Sequence, residues 1–273
     1  AMKAALVQMV SAADVSVNLQ TVAQRLAQAA QGGAELVVLP EYFCLMGQKD
    51  TDKLAIAEPH GAGPIQTTLA ELATQHAIWL VAGSMPLQVP GDPHKVTNSC
   101  LVFNPSGACV ARYDKMHLFF FDNGVERYDE ARVQQAGQTP VCFDLPSRDG
   151  HTWRVGLSIC FDVRFPALYQ QLTQMGAQLL LVPSAFTHTT GADHWATLMQ
   201  ARALDNLAWL GAAAQGGIHD SGRRTWGHSM WVDPWGQVVA SRPTGPGCVW
   251  VDLDMQVLRE RRAQLPAVVP QTR

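Results

Sequence analysis

Three side chains of complementary chemistry stand just past candidate strands. Glu41 follows Val37-Val38-Leu39-Pro40, Lys115 follows Arg112-Tyr113-Asp114, and Cys160 follows Val155-Gly156-Leu157-Ser158-Ile159. A thiol, a carboxylate and an ammonium supply a nucleophile, a base and an electrostatic stabiliser, the parts an acyl transfer needs. The runs before them read as buried strands. Such strands, when they stop abruptly, deliver the next residue to the rim of a sheet, where α/β sites form. Each residue also has a plainer reading. A free cysteine is usually a buried structural thiol, and a strand-end Glu or Lys is usually a solvated rim charge. Spacing alone does not separate the two.

The elements that must position these groups recur along the chain. Apolar strands are expected at 3–9, 36–39, 78–83, 97–103, 108–113, 140–145, 152–159, 179–182 and 208–214. Helical periodicity marks 17–30 (Val17, Leu19, Val22, Leu26, Ala30), 64–76, 166–175 and 192–206. Asn104-Pro105-Ser106-Gly107 is a turn, and a hairpin-like pair surrounds Asp233-Pro234-Trp235-Gly236, while 122–140 reads as polar and irregular. The order strand, helix, strand, Pro occurs twice, at 3–40 and 152–183. The expectation is one α/β domain over 1–273, with helix-covered sheets and internal pseudo-symmetry.

Composition narrows the function classes. The chain has 273 residues, is 47% hydrophobic and carries a formal charge of −3 with no Lys/Arg-rich run. A nucleic-acid partner would call for a basic stripe. No apolar stretch reaches the roughly 18 residues of a membrane span. Cys44, Cys100, Cys109, Cys142, Cys160 and Cys248 form no C-x-x-C pair, so free thiols in a reducing cytoplasm are expected. Ala1 ahead of Met2 reads as a cloning remnant. Gly61-Ala62-Gly63 is a turn rather than a dinucleotide loop. His188 and His194 lack zinc spacing, and Asn98-Ser99-Cys100 is not a glycosylation word. Met9, Met46, Met116, Met175 and Met199 read as core.

The words around the three reactive residues raise the catalytic reading. Leu39-Pro40-Glu41, Tyr113-Asp114-Lys115-Met116-His117-Leu118-Phe119 and Cys160-Phe161-Asp162-Val163-Arg164-Phe165-Pro166 resemble the signature segments of the nitrilase superfamily of carbon–nitrogen hydrolases. Pro183-Ser184-Ala185-Phe186, Ala201-Arg202-Ala203 and Gly227-His228-Ser229 match as well, so the resemblance spans nearly the whole chain. It implies a four-layer α-β-β-α sandwich, extended across a dimer or built into a higher homo-oligomer. It makes Glu41, Lys115 and Cys160 catalytic, and the family pattern picks Glu130 over Glu126 as a second working glutamate. Phe161, Arg164, Phe186, Thr187 and His117 become the substrate-binding candidates, with Arg164 weighed against a local pairing to Asp162. Arg223 and Arg224 are entrance candidates. No metal or organic cofactor is implied.

Cys160 would attack an amide carbonyl, and the Lys115 ammonium and the Phe161 N–H would stabilise the oxyanion. Water activated by Glu41 would then hydrolyse the thioester. The C-terminal half, including Thr190-Gly191, His194-Trp195, Val232-Asp233-Pro234-Trp235-Gly236 and Arg262-Ala263-Gln264-Leu265-Pro266, resembles the branch of deaminated-glutathione amidases. That resemblance implies a small carboxylate-bearing amide as substrate. An ω-amidase acting on 2-oxoglutaramate is the alternative, and an idle member serving as a binding subunit is the non-enzymatic one. Phe119-Phe120-Phe121 departs from the more polar loop of the branch and bears on selectivity.

Overall fold

The computed structural model describes residues 1–268. Its first half runs β1 (Met2–Gln8), α1 (Val15–Gln31), β2 (Leu36–Val38), α2 (Asp52–Ile56), α3 (Pro64–His76), β3 (Trp79–Val81), β4 (Met85–Val89), β5 (Asp92–Phe103) and β6 (Cys109–Asp114). A small hairpin, β7 (Phe120–Asp122) and β8 (Arg127–Asp129), follows. The second half runs β9 (Cys142–Pro146), β10 (Thr152–Leu157), α4 (Pro166–Gln174), β11 (Leu179–Leu181), α5 (His188–Asn206), β12 (Trp209–Ala212), β13 (Ser229–Val232) and β14 (Val238–Arg242). The described chain closes with β15 (Gly247–Leu253) and α6 (Met255–Gln264).

One sheet has the order β15-β1-β2-β3-β5-β4 with β6 paired to β5, and the other β14-β13-β12-β11-β10-β9. In each, three parallel strands linked by helices form the centre, β1-β2-β3 in one and β10-β11-β12 in the other, flanked by antiparallel neighbours. The repeated strand–helix–strand order in the sequence is therefore a repeat in space.

Strand alternation distributes the core. Ala4 and Leu6 face the second sheet, joining Leu36, Val38, Trp153, Val155 and Met230 in one cluster. Ala5 and Val7 point the other way, onto Val22 and Leu26 of α1 and Leu69 and Leu72 of α3. On the outer side of the second sheet, Leu180 meets Leu172 of α4 and Met199 and Ala203 of α5. The layers are thus helix, sheet, sheet, helix. With both faces covered, the central strands are apolar throughout rather than alternating.

Several boundaries differ from the sequence reading. Helix α5 begins one turn early, at His188, because the Thr187 side chain accepts the Thr190 N–H and caps it. The stretch read as irregular holds the β7–β8 hairpin and a 3-10 turn at Glu130–Arg132. Strands β4 and β15 and helices α2 and α6 were not foreseen. In α6 only Met255 and Leu258 are buried, too few to print a helical period. Met9, Met46 and Met199 are buried, but Met175 is not core: it caps the end of α4 and is 41% exposed. All six cysteines are free thiols.

Candidate active site

The turn that carries Cys160 is held from several sides. After β10, Ser158 Oγ donates to Leu181 O at 2.7 Å and accepts from Tyr169 OH at 2.8 Å. Cys160 N donates to Pro183 O at 2.9 Å across the parallel neighbour. Cys160 itself has φ +47°, in the left-handed region, and opens a 3-10 helix over Cys160–Arg164. That backbone costs a non-glycine residue about 1–2 kcal/mol, so the surroundings must enforce it. Asp162, fully buried, supplies much of the restraint. Its Oδ2 accepts from Ile159 N at 2.9 Å and Tyr113 OH at 2.6 Å, and its Oδ1 lies 3.1 Å from His117 N and 2.7 Å from His117 Nδ1. Phe161 N–H falls in the first turn of this helix, where no intrahelical acceptor exists.

Glu41 and Lys115 arrive from the first sheet. The loop after β2 is pressed against Gly83 beyond β3: a Cβ there would lie 1.9 Å from Pro40 O, and its φ is +40°. Lys115 directly follows β6, and its carbonyl accepts from Gly137 N at 2.8 Å. Lys115 Nζ donates to Glu41 Oε2 at 2.9 Å and to Glu130 Oε1 at 2.8 Å, with the lysine side chain fully buried. Asn98 Nδ2 also donates to Glu41 Oε2, at 3.0 Å. Both donors use the same oxygen, which leaves Glu41 Oε1 uncommitted among the described residues.

Glu130 is the brace of the cluster. Besides Lys115 it accepts from Phe119 N at 2.7 Å and from the Tyr42 hydroxyl, which Gln134 Nε2 approaches at 2.8 Å. Burial pushes the Glu130 carboxyl up, but the Lys115 and Lys53 ammonium groups, with hydrogen bonds from Lys115 and Tyr42, bring it down to about 2. Burial pushes the Lys115 ammonium down, yet the Glu130 and Glu41 carboxylates outweigh it and hold the group charged, well above its usual range. Burial and the Glu41 carboxylate raise the Cys160 thiol well above its usual range, against the opposing pull of Lys115. The resting thiol is therefore protonated and needs a base.

Glu41, Lys115, Glu130 and Cys160 line one pocket together with Phe161, Arg164, Phe186, Thr187 and Arg223. Phe119 lines it too, while Phe120 is 53% exposed. Arg164 does not pair with Asp162. Its guanidinium lies 5.5 Å from the Phe186 ring centre, with Nη2 3.3 Å from His194 Nδ1. His117 does not line this pocket; it stacks on Phe165 at 3.8 Å and binds Asp162. Arg224 is likewise outside the wall, its carbonyl accepting from His188 N. Sequence reasoning missed Tyr42, Asn98, Gln134 and Asp162. The signal available for Asn98 was a polar Thr97-Asn98-Ser99 trio leading into the apolar run Cys100–Phe103 of a strand.

Buried carboxylates, a buried cation and a thiol meet in one pocket, the kinds of group that acyl transfer requires. The carbon–nitrogen hydrolase family model matches residues 3–263, and the chain belongs to that family. It is 37% identical to a deaminated glutathione amidase from Yersinia enterocolitica, over 97% of this chain and 91% of that one. It is also 37% identical to human omega-amidase NIT2, over 96% and 92% of the two chains. The NitFhit protein of C. elegans superposes with a TM-score of 0.89 at 36% identity, over 97% of this chain and 63% of that one.

Proposed function

We propose that the chain is an amidase that hydrolyses deaminated glutathione to 2-oxoglutarate and cysteinylglycine. The observation that carries the chemistry is the convergence of Cys160, Glu41, Lys115 and Glu130 in one buried pocket. Glu41 Oε1 takes the thiol proton as Cys160 Sγ attacks the amide carbon. The developing oxyanion is met by Lys115 and the Phe161 N–H; one such donor contributes about 3–4 kcal/mol. Glu41 returns the proton to the leaving nitrogen, the amine departs, and a thioester remains. Glu41 then deprotonates water, which attacks the thioester carbonyl and releases the acid and the free thiol. Glu130 fixes Lys115 and keeps it charged throughout.

The names of the relatives support the substrate class, as does the Arg164 guanidinium beside the pocket, suited to a substrate carboxylate. The test is steady-state hydrolysis of deaminated glutathione beside 2-oxoglutaramate, read as 2-oxoglutarate released. A kcat/KM at least a hundredfold higher for deaminated glutathione is expected. The reverse preference makes the protein an ω-amidase, and turnover of neither overturns both readings. We also infer a cytoplasmic homodimer or larger homo-oligomer, for which sedimentation velocity is the check on assembly.

A further inference from the structure

A second cleft, of about 630 Å³ counting its open mouth, adjoins the catalytic pocket and shares Arg223 with it. Its wall also carries Tyr42, Lys49, Lys53 and Tyr128, with Asp50 as its sole carboxylate. Lys53 Nζ sits 5.1 Å from the Tyr42 ring centre, and the Arg223 guanidinium 5.0 Å from that of Tyr128. Arg223 Nη2 donates to Ala185 O at 3.2 Å, whereas its Nε is buried and donates to nothing. Among the described residues neither cation has a carboxylate within 4.0 Å; the cluster's ion pairs are all made by Lys115. Half-buried cations without a direct ion-pair partner are unfavourable, and an aromatic face offsets only part of that. Burial accordingly pushes the Lys53 ammonium down, against the distant Glu130 and Asp50 carboxylates.

We infer that this cleft is an anion subsite in which Lys53 and Arg223 bind the terminal carboxylate of the leaving amine. The inference rests on the amidase reading above. In the proposed reaction the amine is a dipeptide whose carboxylate lies two residues from the scissile bond. Two extended residues reach about 7 Å, and because Arg223 borders both spaces, a chain leaving the catalytic pocket meets its fork directly. Lys53 adds a second charge, and Arg164 is left to serve a carboxylate on the acyl side. An amide whose leaving group is ammonia has nothing to place here, so the cleft separates peptide-like from simple amides.

The test compares deaminated glutathione with its C-terminal carboxamide, identical except that the distal charge is removed. The wild-type enzyme is expected to favour the free acid by at least tenfold in kcat/KM. Lys53→Met and Arg223→Met should each bring that ratio close to one, mainly through KM, and Lys53→Arg should restore most of it. A merely structural role would slow both substrates equally and keep the ratio. A wild-type ratio near one, or a ratio unmoved in both Met variants, overturns the subsite while leaving the amidase reading intact. Absence of any wild-type turnover of deaminated glutathione overturns the deaminated-glutathione reading, and the subsite with it.

Discussion

At the scale of single residues, the site works by opposing burial with charge. Cys160 is kept protonated by burial together with the Glu41 carboxylate, whereas Lys115 is kept charged against burial by the Glu130 and Glu41 carboxylates. Cys160→Ala should keep the far-ultraviolet circular dichroism and thermal midpoint of the native protein while turnover falls below about a thousandth. Appreciable residual activity would remove Cys160 from its role. Glu130 makes a pH prediction. Its folded pKa of about 2 lies below the ordinary glutamate value near 4.3. The unfolded chain therefore binds the extra proton first as pH falls. The stability Glu130 contributes is fully present above about pH 4.5 and is lost toward pH 2, on the order of 3 kcal/mol. Urea titrations of the wild type should show this acid limb, and Glu130→Gln should flatten it. An unchanged slope in the variant would assign the limb to other carboxylates.

At the scale of elements, three strand ends supply the three reactive groups, and the loops that follow are braced rather than free. Gly83 allows the carbonyls of Leu39 and Pro40 to approach closely, and no side chain is accommodated at that φ without a shift of the Glu41 loop. Gly83→Ala should lower stability by roughly 1–3 kcal/mol. It should also reduce kcat, because Glu41 is displaced relative to Lys115. A Tm loss with unchanged kcat would mean the loop yields elsewhere. The strands before Glu41 and Cys160 were legible as short apolar runs, and the strand before Lys115 by its place after the Asn104–Gly107 turn. The β7–β8 hairpin was not. Its strands are three residues each with no buried position, and what organises it is the contact of Glu130 with Lys115 and Phe119 N.

At the scale of the whole molecule, the two sheets are tied together by buried amides. Gln8 on β1 accepts from Ser229 N at 3.0 Å and Ser229 Oγ at 2.7 Å on β13, and donates to Gly245 O at 3.1 Å. Gln215 binds Ser11 through both ends of its amide and donates to Glu41 O at 3.1 Å, so a second buried amide supports the Glu41 loop. Gln8→Leu would strand these buried partners at about 1–3 kcal/mol each. The expected result is a loss of several kcal/mol in urea unfolding, with a single transition retained. Two separated transitions would show that the halves are coupled mainly through this clamp.

What the sequence by itself determined is the local and the ordered: the apolar runs, the helices between them, the repeat of that order, and three signature words that mark Glu41, Lys115 and Cys160. These are legible because periodicity and strand termination depend on neighbours within a few residues. The tertiary structure alone decided that Tyr42, Asn98 and Gln134 serve the cluster, that Asp162 braces the Cys160 turn through Tyr113 and His117, and that Arg164 faces the pocket. It also decided that β15 closes the first sheet against β1, pairing Met2 with Leu253. Each of these is a contact between residues far apart in the chain. Its energy depends on burial and on the geometry of partners that only the packed sheets bring together.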